Sequence, residues 1–170
     1  GLLELIDSLG MLAIEIETCP EEGITISELE RTLRTHDVTA CMFSTTLSNP
    51  LGVTMPEQER RRLVDLLEQY DTVLIEDDVY GDLRFDGVRP VPAQFLDGSP
   101  RIITCGSFSK TAAPGYRIGW VVTDTWIDKI AYLKRAFSCT SGLLQQLTLA
   151  DFLATGEYNR HLKALRPILK

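Results

Sequence analysis

Short apolar runs of strand length alternate with amphipathic helical segments along most of this chain, and that alternation leaves few folds open to it. Val38 to Ser44 reads as a buried strand that empties into the loop Leu47-Ser48-Asn49-Pro50-Leu51-Gly52. A helix follows, with Thr54 and Glu57 framing its start, Pro56 in its first turn, and Leu63, Val64, Leu66, Leu67 and Tyr70 forming one broad apolar face. Thr72 to Asp77 is the next strand and ends in acid; Arg101 to Cys105 and Ile118 to Thr123 supply two more. Upstream, the stripe Leu2, Leu3, Leu5, Ile6, Leu9 predicts a helix stopped by Gly10. Met11 to Ile16 predicts a strand, and Ser27-Glu28-Leu29-Glu30 predicts a capping box opening a helix that carries Leu29 and Leu33. The tail predicts three helices, near 124–137, 143–153 and 157–165, broken at Gly142 and Gly156. Strands alternating with helices, then helices alone, specify an α/β layer with a largely parallel sheet. In such sheets ligands sit outside the carboxyl ends of the strands, so the polar loops after the strands are where chemistry is expected.

Composition narrows the function classes. At 170 residues and 44% hydrophobic content the chain makes one domain with a sizeable core. Its longest apolar runs, such as Ile118-Gly119-Trp120-Val121-Val122, are too short for a membrane span or a signal-peptide core, so a soluble, cytoplasmic protein is expected. The four cysteines, 19, 41, 105 and 139, lie far apart without a CxxC pair, and only His36 and His161 could assist them; they read as reduced, buried thiols. A net charge of −7 with no basic cluster beyond Glu59-Arg60-Arg61-Arg62 argues against a nucleic-acid surface within these residues.

Four loops stand out: Asn49-Pro50-Leu51-Gly52, Asp77-Asp78-Val79-Tyr80, Ser107-Phe108-Ser109-Lys110 and Pro114-Gly115-Tyr116-Arg117. Taken singly each has an ordinary explanation, as a turn, a solvated strand edge or a Ser-rich loop. Each adjoins a strand, so a parallel sheet could bring several to one edge. Together they hold what a phosphorylated pyridine aldehyde needs: an amine for an imine, a carboxylate for a ring nitrogen, a phenol and an amide for a ring hydroxyl, and Ser and Arg groups for a phosphate. Strand alternation sets Val73, Ile75 and Asp77 on one side and Leu74, Glu76 and Asp78 on the other, so only one of the two aspartates can aim at such a ring.

These segments resemble the class I and II aminotransferases of fold type I that depend on pyridoxal 5′-phosphate (PLP). Asn49-Pro50-Leu51-Gly52 is similar to the family's Asn-Pro-x-Gly, Asp77-x-Val79-Tyr80 to its Asp-x-Ala/Val-Tyr, and Ser107-x-Ser109-Lys110 with Arg117 seven residues on to its lysine signature. The fuller wording, including Ile75-Glu76-Asp77-Asp78-Val79-Tyr80-Gly81-Asp82-Leu83 and Lys110-Thr111-Ala112-Ala113-Pro114-Gly115-Tyr116-Arg117, is most similar to the aminotransferase-like domains of MocR-type regulators of the GntR family. The resemblance implies a three-layer α/β/α fold with a mainly parallel mixed sheet. It implies that Lys110 forms the internal aldimine and moves a proton between the substrate Cα and the cofactor as base and acid. Asp77, favoured over Asp78 by motif register, would hold the pyridine nitrogen; Tyr80 and Asn49 the ring oxygen; and Ser107, Ser109 and Arg117 the phosphate. Gly115 would let the backbone turn under the phosphate, or be a plain turn glycine.

The resemblance also implies an amino acid and 2-oxo acid pair, or a PLP adduct, as small-molecule partner, and a homodimeric full-length parent. Residues 1–170 read as a single domain, a core piece of the PLP-binding large domain, with the N-terminal segment and the C-terminal small domain outside it. Transamination by the parent and cofactor sensing by a transcription regulator both remain open, because a regulator can keep the lysine without turnover. A cofactor-free α/β interaction module is the third alternative.

Overall fold

A computed structural model describes residues 1–86, 88–97 and 101–170. Its centre is a four-stranded sheet in which β3 (Ala40–Phe43), β4 (Val73–Asp77) and β5 (Ile102–Ser107) run parallel in that order, and β6 (Gly119–Val122) closes one edge antiparallel to β5. The α/β class and the mainly parallel mixed sheet are those the sequence predicts. Two short strands, β1 (Thr18–Cys19) and β2 (Gly23–Ile24), pair antiparallel outside it. The helices are α1 (Leu2–Ser8), α2 (Ile26–Thr35), α3 (Glu57–Gln69), α4 (Gln94–Asp97), α5 (Ile127–Ser138), α6 (Leu143–Ala154) and α7 (Glu157–Leu169), with 3-10 turns at Gly81–Leu83 and Pro114–Tyr116.

Two cores hold strands β3 to β5 and helices α2, α3, α6 and α7. In the larger, Leu29 and Leu33 of α2 and Leu63 and Leu67 of α3 pack against Leu74 of β4 and Ile102 of β5. Each such side chain contributes about 1.5–3 kcal/mol on burial. The smaller core gathers Leu83, Tyr158 and Leu162, with Tyr80, Phe108 and Phe152 against them. Tyr158 meets the edges of Phe108 and Phe152 with ring centroids 5.9 Å apart in both cases. This second core lies where the chain leaves β4 and β5, so it roots the loops after those strands on α6 and α7.

At the edge, Gly106 is dictated by packing. A Cβ there would lie 2.1 Å from the Trp120 ring of β6, its partner in the ladder.

Some expectations fail locally. Met11 to Ile16 is irregular rather than a strand: among the described residues no strand lies beside it to complete its hydrogen bonds, and Leu12 is 94% exposed. The capping box does not form. The extended residue before α2 is Thr25, so Ser27 falls inside the first turn, and no side-chain cap bond is made. The cysteines are all free, but only Cys41 is buried, and Cys139 is exposed at the end of α5. Among the described residues no helix is long and apolar enough to cross a membrane.

Candidate functional site

Parallel pairing of β3, β4 and β5 sends their carboxyl ends to one edge of the sheet, and antiparallel β6 begins at that edge. All four loops therefore gather there: the Asn49 loop after β3, Asp77 to Tyr80 at the end of β4, Ser107 to Lys110 at the end of β5, and Arg117 two residues before β6. Three of them are joined by side-chain contacts or register. The Lys110 Nζ stands 5.9 Å from the centroid of the Tyr80 ring, within cation–π range. The Ser109 backbone N–H donates to Ser107 Oγ at 3.0 Å, and Ser107 Oγ donates to Ser109 Oγ at the same distance. Arg117 donates to Ser109 Oγ at 3.4 Å. Asp77 sits in register with Cys105 on β5, two residues before Ser107, and its Oδ1 accepts the Val79 N–H at 3.2 Å.

Asn49 is placed at the same edge and takes part in none of these contacts. It is exposed in a loop closed by its own backbone, Ser48 N–H to the Val53 carbonyl at 2.9 Å, and its peptide bond to Pro50 is cis.

The demand for an unusual backbone falls on Arg117 and not on Gly115. Arg117 is left-handed, φ 53° and ψ 37°, whereas a Cβ at Gly115 would meet nothing within 4 Å. A non-glycine residue held in this region carries a local cost that its surroundings must meet, and such residues gather at ligand-contacting sites. Gly115 is a plain turn glycine.

The two aspartates separate as strand alternation requires. Asp78 points with Leu74 and Glu76 to the α3 side; its side chain is 4% exposed and pairs with Arg89. Burial pushes the Asp78 carboxyl up to about 6, against the pull of the Arg89 charge. Asp77, half-buried on the other side, is the carboxylate left free of an ion pair with Arg89. Glu76 is sealed in: it accepts from Thr45 Oγ1 at 2.6 Å, Thr104 Oγ1 at 3.1 Å and the Ala93 N–H at 2.9 Å. Cys105 has its thiol raised by burial and by the Asp77 and Glu76 charges, which makes it a poor nucleophile. Sequence reading missed Glu76 and Arg89; an acid in an otherwise apolar strand was the available sign for the first.

A cavity of about 390 Å³ between residues 112–116 and α6–α7 is lined by none of the seven candidates. The sheet edge, where amine, phenol, carboxylate, hydroxyl and guanidinium converge, is the chemically equipped surface. Its donor set suits a phosphorylated, ring-bearing aldehyde: Ser107, Ser109 and Arg117 offer hydroxyl and charge-assisted donors for a phosphate, and Asp77 offers an acceptor for a protonated ring nitrogen.

Residues 5–170 match the family described as aminotransferase class I and II, and the chain belongs to it. Its relatives include an uncharacterized HTH-type transcriptional regulator, YdcR of Escherichia coli, 40% identical over 98% of this chain and 36% of that protein. The probable rhizopine catabolism regulatory protein MocR of Rhizobium meliloti is 41% identical over 69% of this chain and 24% of that protein. Among solved structures, a kynurenine aminotransferase of Pyrococcus horikoshii superposes with a TM-score of 0.83 at 33% identity, covering 91% of this chain and 39% of that one. The chain thus spans a little over a third of YdcR, and of that enzyme, and about a quarter of MocR.

Proposed function

We propose that this chain is the PLP-binding core of an aminotransferase-like large domain, carried by a MocR-type regulator, with Lys110 as the residue that bonds the cofactor. The observation that carries the reading is the sheet topology, which delivers Lys110, Tyr80, Asp77 and the Ser107–Ser109–Arg117 cluster to one edge. Regulators with an HTH description are among the relatives at 40% identity, which supports the regulator over a stand-alone enzyme. A metabolic aminotransferase is the second reading, favoured by the superposition on the kynurenine enzyme.

Bound here, PLP would supply an electron sink for the bonds to an amino acid's Cα. The chain's own residues do the rest. Arg117, left-handed beside Ser109, would present its guanidinium to the phosphate as a fork that lysine could not reproduce. Asp77 would accept a hydrogen bond from the protonated pyridine nitrogen and keep the proton on the ring. Tyr80 and Asn49 would donate to the ring oxygen. The Lys110 amine, once released by an incoming amino acid, would take the proton from Cα and return it as general base and acid. The amino acid and 2-oxo acid pair is the small-molecule partner of this reading, and the full-length protein is a homodimer.

Borohydride reduction of the full-length protein with PLP is expected to add one pyridoxyl group, mapped to Lys110 by mass spectrometry. Labelling that persists in Lys110→Ala would overturn the assignment. Conversion of bound PLP to its amine form by some common amino acid would establish transamination; its absence for all of them would leave the sensor.

A further inference from the structure

Behind β4, on the side away from the proposed ligand, residues 89–93 form a strap. Ala93 donates its N–H to Glu76, Arg89 pairs with Asp78 and Asp82 together, and Arg60 of α3 donates to the Val91 carbonyl. Asp78 and Asp82 bracket Val79-Tyr80-Gly81, the turn that carries Tyr80 out of the strand carrying Asp77. The turn is folded directly onto the first of them. A Cβ at Gly81 would lie 2.3 Å from Asp78 Oδ1, so only glycine lets the backbone pass over that carboxylate. Asp82 is moored to α7 as well: its Oδ2 accepts the Tyr158 hydroxyl at 2.8 Å, and its carbonyl accepts Arg166 Nε at 2.9 Å.

We infer that Arg89 is a positioning residue, which by holding Asp78 and Asp82 at once fixes the turn that presents Tyr80 to the cofactor. The inference rests on the PLP reading above for its functional half. Arg89 makes its hydrogen bonds and ion pairs to Asp78 and Asp82 and not to the residues assigned to the cofactor; it acts through the backbone between the two carboxylates. A guanidinium fork can take two separate carboxylates in fixed directions, whereas an ammonium on a flexible stem cannot fix both. Without the fork, Asp78 is a buried, unpaired carboxylate and Asp82 keeps only its ties to α7.

The test uses the full-length protein with Arg89→Met, Arg89→Lys and Tyr158→Phe, measuring PLP affinity by titration and backbone amide exchange without PLP. In Arg89→Met the Gly81 and Leu83 amides are expected to exchange at least tenfold faster, with those of Leu74 and Glu76 unchanged, and PLP affinity to fall at least tenfold. Trapping at saturating PLP should still label Lys110. Arg89→Lys should recover part of both effects, and Tyr158→Phe, which keeps its ring in the core, should show a two- to threefold change at Leu83. Unchanged exchange at Gly81 and Leu83 would overturn the inference, as would a loss of protection spread equally to β4. If Arg89→Met does not fold, the other two variants decide: wild-type exchange and affinity in both would overturn it. If the wild-type protein takes up no PLP, the function proposed above fails, and the exchange data alone decide whether Arg89 holds the turn.

Discussion

Glu76 and Asp77 are consecutive acids on one strand, and they belong to opposite kinds of surface. On the Glu76 side, Leu74, Ile102 and Thr104 are at most 2% exposed and covered by α3, and the carboxylate is saturated by donors from three separate elements. On the Asp77 side, Val73, Ile75, Ile103 and Cys105 are half-buried and Met42 is 42% exposed. The first side is a folded protein's interior; the second, with its one backbone hydrogen bond to Asp77, keeps acceptor capacity unspent. Stability and chemistry are thus divided between the faces of one ribbon, and each substitution below should fall on one side of that division.

Glu76→Ala should have the largest effect. It strips acceptors from the Thr45 and Thr104 hydroxyls and the Ala93 N–H, all buried, and removes a negative charge that partners buried Arg60. A loss of about 3–5 kcal/mol is expected by urea unfolding. A loss below about 1 kcal/mol would erase the contrast between the two acids. Gly106→Ala comes next, at about 1–3 kcal/mol, because the added methyl would overlap the Trp120 ring and the edge strand would have to shift.

The Asp78 carboxyl gives the contrast a pH signature. Its folded value, about 6, lies above its unfolded one, so between about pH 4 and 6 the native state holds a proton that the unfolded chain has released. Stability should therefore fall as pH rises through that window, by about 1–3 kcal/mol in wild type. Asp78→Asn should lose that slope while paying a constant penalty for the broken Arg89 pair. Unfolding curves at pH 4, 5, 6 and 7 for both proteins check this; equal slopes would show that Asp78 is not the titrating group.

Much of the fold was legible because it rests on periodicity. The strand ends and the α3 face follow from apolar spacing alone, and parallel pairing then brings the loops together without further information. What was not legible depends on contacts between distant residues. Nothing in Met11 to Ile16 says that no strand will lie beside it. Helix α2 starts after Thr25 rather than at Ser27 because the extended backbone falls there. Arg89 was invisible because its two partners lie eleven and seven residues upstream in an irregular stretch. At the site, motif order selected the candidates, but the left-handed turn at Arg117 is a property of the folded loop, and the sequence hinted instead at Gly115.

Asp77→Asn is the smallest expected change in stability and the sharpest probe of the division. The side chain is half-buried, its Oδ1 accepts the Val79 N–H two residues on, and an amide oxygen can accept that bond equally well. Unfolding free energy should move by no more than about 0.5 kcal/mol. A ligand whose ring nitrogen is held protonated by Asp77 would nonetheless lose its counter-charge, so PLP affinity should drop by about tenfold or more, equivalent to about 1.4 kcal/mol. The pairing of an untouched fold with weakened binding is what a functional face must show. If Asp77→Asn instead destabilises the chain as Glu76→Ala does, both acids are structural and the open face has no claim to the chemistry.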